Sequence, residues 1–275
     1  GVQQVFGTAV VGVEHEAPGR VGGPFALLLL ENVAADFGGS GEPGLLGRVD
    51  HACFPERVFY EPEGVHLQYD AGTRQIYGRP DYLPVDERHL LRPVDVNGVN
   101  KMAGEWYHIL YNNVYGIRAC ALRLTNTYGP RMRVKDARQT FLGIWVRQLI
   151  EGSPIKVFGD GSQLRDFNYI DDCVDALLLA AADDKAVGKV YNLGSGEVVA
   201  LKELALLMTG LVPGGRFEVV PFPPDRKAID IGDYYGDFSL IRSELAWSPE
   251  VGLRDGLQRT LDYYRANGTH YWDAV

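Results

Sequence analysis

No apolar run in this sequence is long enough to cross a bilayer. Phe25–Leu30 holds six residues and Ala176–Ala182 seven, against about 20 for a spanning helix. Cysteine is scarce too. Cys53, Cys120 and Cys173 are widely spaced and odd in number, which excludes a disulfide framework or a zinc-ligand spacing and leaves buried free thiols in a reducing compartment. Positive charge is in deficit, with 27 Lys and Arg against 36 Asp and Glu for a net charge of -9. That balance argues against nucleic acid or an anionic membrane as partner, although a few arginines can still converge on an anionic ligand. No basic segment followed by an apolar stretch opens the chain, so a cytoplasmic location is expected. No internal repeat is found, which disfavours a solenoid.

The remaining composition is that of an ordinary globular protein, 46% hydrophobic and 23% charged over 275 residues, enough for one large or two small domains. Its distribution is uneven. Residues 1–72 are broken by EAPGRVGGP, FGGSGEPG and YEPEG, and no helical period persists there. From Thr73 the pattern becomes regular. Helices are predicted at Val99–Val114, Gln139–Glu151, Leu201–Leu211 and Leu253–Ala266, with one more through Leu177–Ala182 capped by Asp171 or Asp172 and a short one capped by Ser239. Strands are predicted at Ile117–Leu124, Ile155–Phe158, Lys189–Leu193 and Phe217–Pro221. Such alternation indicates an α/β fold with a largely parallel sheet.

Six segments stand out within this regular part. TRQIYG (Thr73–Gly78) is followed by NGVNK, which begins 19 positions after Gly78. In the second, Asn97 and Lys101 are four apart and would share one helical face. Asn97-Gly98 also reads as a turn before the helix. LRLTNTYGPR (Leu122–Arg131), IKVFGDGSQLRDFNYIDDCVDA (Ile155–Ala176), YNLGSG (Tyr191–Gly196) and DRKAIDIGDYYGDFS (Asp225–Ser239) complete the series. Taken singly they read as turns and local ion pairs.

In this order the segments resemble the extended short-chain dehydrogenases, specifically the NAD-dependent epimerase/dehydratase family of nucleotide-sugar enzymes. The resemblance implies a Rossmann-like parallel sheet, atypical or incomplete in its N-terminal half, with a smaller C-terminal α/β substrate-binding domain. The implied division is a cofactor domain over residues 1–130, atypical over 1–72. A nucleotide-sugar domain follows over residues 131–275, with some segments returning to the sheet. It implies catalytic roles for Thr73, Lys101 and the tyrosine position between them, which here is Asn97. A carboxamide has no accessible pKa and cannot act as a general base. Lys101, with the backbone of Leu124 and Thr125, would meet NAD. Asn126, Val157, Phe158, Arg165, Asn192 and Arg226 would meet the nucleotide sugar, Arg165 through bidentate contact with the pyrophosphate. No metal is implied.

The resemblance also has a gap. FGGSGEPG (Phe37–Gly44) has glycines in a dinucleotide-binding spacing, but only 28 residues separate Gly44 from Thr73, where each βαβ crossover needs about 30. Arg74 and Gln75 follow Thr73 where 4,6-dehydratases of the family carry Asp and Glu. By elimination the resemblance implies an NAD-using nucleotide-sugar epimerase. The alternatives are a non-catalytic nucleotide-sugar-binding protein and a dehydratase or decarboxylase. The helix around Met102–Leu110 corresponds to one that forms a homodimer interface in the family; burial within its own domain is the other reading.

Overall fold

A computed structural model of the chain describes residues 9–10, 68–135 and 140–272. Phe25–Leu30, the Phe37–Gly44 glycines and Cys53 lie outside the described residues. Strand β1 (Ala9–Val10) pairs antiparallel with β2 (Gln68–Thr73). A short 3-10 turn, Arg74–Ile76, follows β2. Helix α1 (Val96–Tyr115) then leads back to β3 (Ala119–Leu124), which is parallel to β2 with Thr73 opposite Leu124.

Helix α1 starts three residues before its predicted position, because Asp95 caps it by accepting from the Gly98 amide at 2.6 Å. An N-cap of this kind satisfies one of the orphan amides of the first turn. Asn97 and Gly98 therefore belong to the helix, not to a turn preceding it. Gly116, at φ 67°, ends the helix in the left-handed conformation that glycine adopts without strain.

After β3 come β4 (Asn126–Tyr128), α2 (Phe141–Ile150), β5 (Ile155–Phe158), β6 (Leu164–Tyr169) and α3 (Ile170–Ala182). They are followed by β7 (Val190–Asn192), β8 (Val198–Ala200), α4 (Leu201–Gly210) and β9 (Phe217–Val220). The chain closes with α5 (Pro224–Ala228), α6 (Ser239–Leu245) and α7 (Leu253–Asn267). Strands β1-β2-β3-β7 form one sheet, β4-β6-β8 a second and β5-β9 a third. The α/β expectation holds, and β2, β3 and β7 are mutually parallel.

Two helix caps differ from expectation. Asp171 and Asp172 do not cap α3, whose N-cap is Tyr169 without a side-chain bond. Asp172 instead accepts from the amides of Glu250 and Val251 at 3.0 and 3.2 Å, anchoring the approach to α7. Ser239 is the first residue of α6 and donates its amide to Asp237 at 2.8 Å.

The apolar side chains gather into separate cores. Cys120 and Leu122 of β3 pack with Cys173 and Ala176 of α3, Tyr191, and Ile241 of α6. Segments distant in sequence thus return to the parallel sheet. A second core joins Trp145 of α2, Ile155 and Val157 of β5, Met208 of α4 and Leu257 of α7. A small third cluster of Ile76, Tyr77, Val85, Ile231 and Tyr234 lies beside the end of β2. Cys120 and Cys173 are buried free thiols, and burial pushes each up to about 12.

Candidate nucleotide-sugar site

The described residues enclose a cavity of about 370 Å³. One end is aromatic. Phe158, at the end of β5, and Phe222, just past β9, have ring centroids 5.8 Å apart. Register explains the pairing: β5 and β9 are parallel with Phe158 opposite Val220, so both chains leave the sheet at the same level. Arg226 of α5 lies over the Phe158 ring at 5.9 Å. A planar aromatic face with a cation above it suits a delocalised ring ligand.

Arg165 of β6 lines the same cavity but is largely buried, at 6% exposure. Its guanidinium donates to the carbonyls of Leu164, at 2.8 Å, and Gly232, and faces Asp230 at 3.6 Å. Burial and then the neighbouring charge of Arg74 pull its pKa down to about 10, against the opposing pull of Asp230. It is still a cation at neutral pH, held where water is scarce and a carboxylate only partly compensates it.

The other end of the cavity carries Arg74, Gln75 and Asp95. Thr73 ends β2 and accepts from the Gln75 amide at 3.4 Å. The Gln75 side chain is a bridge: its Nε2 donates to Asp95 Oδ2 at 2.9 Å, and its Oε1 accepts from Asn97 Nδ2. Gly98 lets this contact form. A Cβ there would stand 2.7 Å from the Gln75 carbonyl and 2.8 Å from Pro93 Cβ. Lys101, one helical turn beyond Asn97, donates to the Ala71 carbonyl at 2.7 Å, which brings it beside the end of β2. Burial lowers its pKa, and buried Asp70 opposes that shift.

Several of the expected substrate contacts lie elsewhere. Asn192 is fully buried and committed to the fold. It accepts from Tyr77 Oη at 2.6 Å, donates Nδ2 to the Val85 carbonyl at 2.9 Å, and donates its amide to Glu87 at 2.7 Å. Val157 alternates with Phe158 along β5, so one faces the core and the other the cavity. Asn126 is occupied at both ends, its Oδ1 accepting from Arg74 at 2.8 Å and its Nδ2 donating to the Asp166 carbonyl at 2.8 Å. The Thr125 hydroxyl donates to the Asp166 carboxylate, so only its backbone is left for a ligand. Leu124 ends β3 beside Thr73.

Sequence reasoning missed Asp95, Phe222 and Asp230 as cavity residues and took Arg74 and Gln75 only as missing acids. No period or spacing signals Phe222, which sits in the proline-rich PFPPD segment. Asp95 had a signal, since Asp three residues before an amide in a first turn is a capping pattern. No group of residues able to hold a metal, and no helix long and apolar enough to cross a membrane, occurs among the described residues.

Known proteins resemble this chain in the same region. The NAD dependent epimerase/dehydratase family model matches residues 60–194. The putative UDP-glucose 4-epimerase of Methanocaldococcus jannaschii is 33% identical over 192 residues, which is 70% of this chain and 60% of that protein. The UDP-glucuronic acid 4-epimerase of Bacillus cereus, solved with UDP-glucuronic acid and NAD, superposes with a TM-score of 0.65 at 29% identity. That match covers 73% of this chain and 62% of that one. A dTDP-glucose 4,6-dehydratase from Streptomyces venezuelae, solved with NAD, gives 0.66 at 25% identity over 75% of this chain and 62% of that one. This chain spans about 60% of the length of the curated relatives it matches. Through residues 60–194 the chain belongs to the NAD dependent epimerase/dehydratase family, and its fold is the Rossmann type of those enzymes.

Proposed function

We propose that this chain is the substrate-binding and catalytic part of an NAD-using nucleotide-sugar epimerase. One observation carries the reading: a single cavity joins an aromatic end, a buried arginine and the end of β2 where Thr73 lies. The base stacks at Phe158 and Phe222 beneath Arg226, the pyrophosphate meets Arg165, and the sugar reaches toward Thr73. The reading divides the chain into a sheet-forming part up to about residue 130 and a mainly nucleotide-sugar part after it, from which β7 returns to the sheet. Helix α1, with Trp106, Leu110 and Val114 each about half exposed or more, joins two copies into a homodimer. The same reading includes a cytoplasmic location.

The dinucleotide fits at the carboxyl ends of β2 and β3, the place where open parallel sheets bind such ligands. There Thr73 and Leu124 end in register and Lys101 reaches the Ala71 carbonyl. Lys101 and the backbone of Leu124 and Thr125 would hold its nicotinamide end. NAD bound there would supply a reversible hydride acceptor for the sugar carbon.

The proton is this chain's own problem. Thr73 receives the Gln75 amide and can donate its hydroxyl to a sugar oxygen. Asn97 cannot titrate, and its amide is spent on Gln75. Of the carboxylates lining the cavity, Asp230 faces Arg165 while Asp95 lies beside Gln75. In this reading the proton leaving the sugar hydroxyl goes to Asp95 and returns from it.

Asp95→Asn is the informative variant, because asparagine caps a helix about as well as aspartate. With NAD and a panel of UDP-, dTDP- and GDP-sugars, epimer formation followed by NMR should fall by roughly 100-fold or more, with the fold retained in circular dichroism. A wild-type protein that binds the sugars but never forms an epimer would decide for binding without turnover. The Asn97 carboxamide favours that second reading. A dehydratase is disfavoured because Arg74 and Gln75 offer neither acid nor base.

A further inference from the structure

Arg74 has not been used by the reading above, and it occupies the wall nearest Thr73. The guanidinium is fixed from two sides. Nη2 donates to Asn126 Oδ1 at 2.8 Å, and the carbon centre lies 5.3 Å from the centroid of the Tyr234 ring. Asn126 is held in turn by the Asp166 carbonyl. A guanidinium carries five N–H donors, and among the described residues the bond to Asn126 is the hydrogen bond that it makes.

The carboxylates around it are engaged elsewhere. Asp95 accepts from Gln75 and from the Gly98 amide, Asp166 from Thr125 and the Gly236 amide, and Asp230 faces Arg165. Burial lowers the Arg74 pKa in spite of all three carboxylates and Tyr234. The site thus holds a second pre-oriented cation at the sugar end, apart from Arg165, whose position suits the pyrophosphate. A neutral hexose would leave those donors to bond hydroxyls, where most of the charge would be wasted. A carboxylate would match the fork in charge and shape.

We propose that Arg74 selects a nucleoside-diphosphate sugar bearing a carboxylate on its sugar ring, a nucleotide-linked uronic acid. Asn126 is then a positioning residue, which sets the guanidinium plane without touching the ligand. The inference rests on the reading of the cavity as a nucleotide-sugar site.

Calorimetric titration of the full chain tests both levels, using UDP-glucuronic acid, UDP-glucose and UDP, and in parallel GDP-mannuronic acid, GDP-mannose and GDP. In one of the two series the acid should bind about tenfold or more tightly than its neutral counterpart. Arg74→Gln should abolish that preference while leaving the affinity for the bare diphosphate within about twofold. Equal binding of acid and neutral sugar by the wild type would overturn the proposal. So would an Arg74→Gln protein that loses affinity for the diphosphate itself, since Arg74 would then be a phosphate contact. Failure of every nucleotide and nucleotide sugar to bind would instead sink the nucleotide-sugar reading, and this proposal with it. Circular dichroism of the variant guards against misfolding. Arg74→Lys, which keeps the charge but not the fork, should retain only part of the preference.

Discussion

Two buried arginines, about 40 positions apart, show how differently one residue type is treated under the parallel sheet and at the cavity wall. Arg123, on β3, is 5% exposed and forms a bidentate pair with Glu105 of α1, at 2.8 and 2.6 Å. Nη1 donates to Tyr77 Oη at 2.6 Å and to the Glu87 carbonyl at 3.3 Å. These bonds hold its pKa above the ordinary value in spite of burial. Arg165 is equally buried, yet its nearest carboxylate is 3.6 Å away and its pKa is depressed. The first arginine is fully paid for by its neighbours; the second is left wanting an anion. Burial alone therefore does not mark a functional cation. In the proposed reading, the shortfall of partners does.

The contrast is sharpest in what each side chain should cost when removed. Arg123→Met leaves Glu105 buried without its partner, and should destabilise the fold by roughly 3–5 kcal/mol, read from urea denaturation. Arg165→Met should move stability far less and in either direction. It should weaken nucleotide-sugar binding by roughly 2 kcal/mol, measured by calorimetry. A pair of variants that behaved alike in both assays would erase the distinction.

A smaller effect is expected from Asn126→Ala. It removes the brace on Arg74 and should reduce any preference for an acidic sugar severalfold, about 1 kcal/mol, without altering affinity for the bare diphosphate. The smallest concerns Asp70, a third kind of buried charge. It is 3% exposed, and its Oδ2 finds no hydrogen-bond partner among the described residues. Burial raises its pKa, opposed by Lys101 and His108. The folded protein then takes up this proton at a higher pH than the unfolded chain, so stability from this group rises as pH falls through its folded pKa. Asp70→Asn should be more stable than wild type at pH 7, with the gain shrinking toward pH 4 in denaturation curves.

How much of this was legible in the sequence depended on whether a residue's partner lay nearby in the chain. The helices at 141–150, 201–210 and 253–267 and the strands at 155–158 and 217–220 follow from local period and caps. Phe158, Arg165 and Arg226 were legible through their motif, and the cavity does gather them. Strand β6 was not, because LRDFNY places charges on a strand whose satisfaction comes from Gly232 and Gly236. The partners of Asn192 and Asn126 were illegible for the same reason. Their carboxamides are consumed by Tyr77 and Arg74, respectively 115 and 52 residues away.

Gly98 has a consequence for anyone who would rebuild the missing tyrosine. With no room for a Cβ between the Gly98 backbone and the Gln75 carbonyl and Pro93, helix and turn meet like two parts machined without clearance. A library that varies position 97 can explore new chemistry only while position 98 is left alone. Bulk added at 98 would lift the first turn of α1 away from β2, taking Asn97 and Lys101 out of alignment with Thr73 together. The spacing of Thr73, Asn97 and Lys101 is thus guarded by a residue with no side chain to offer.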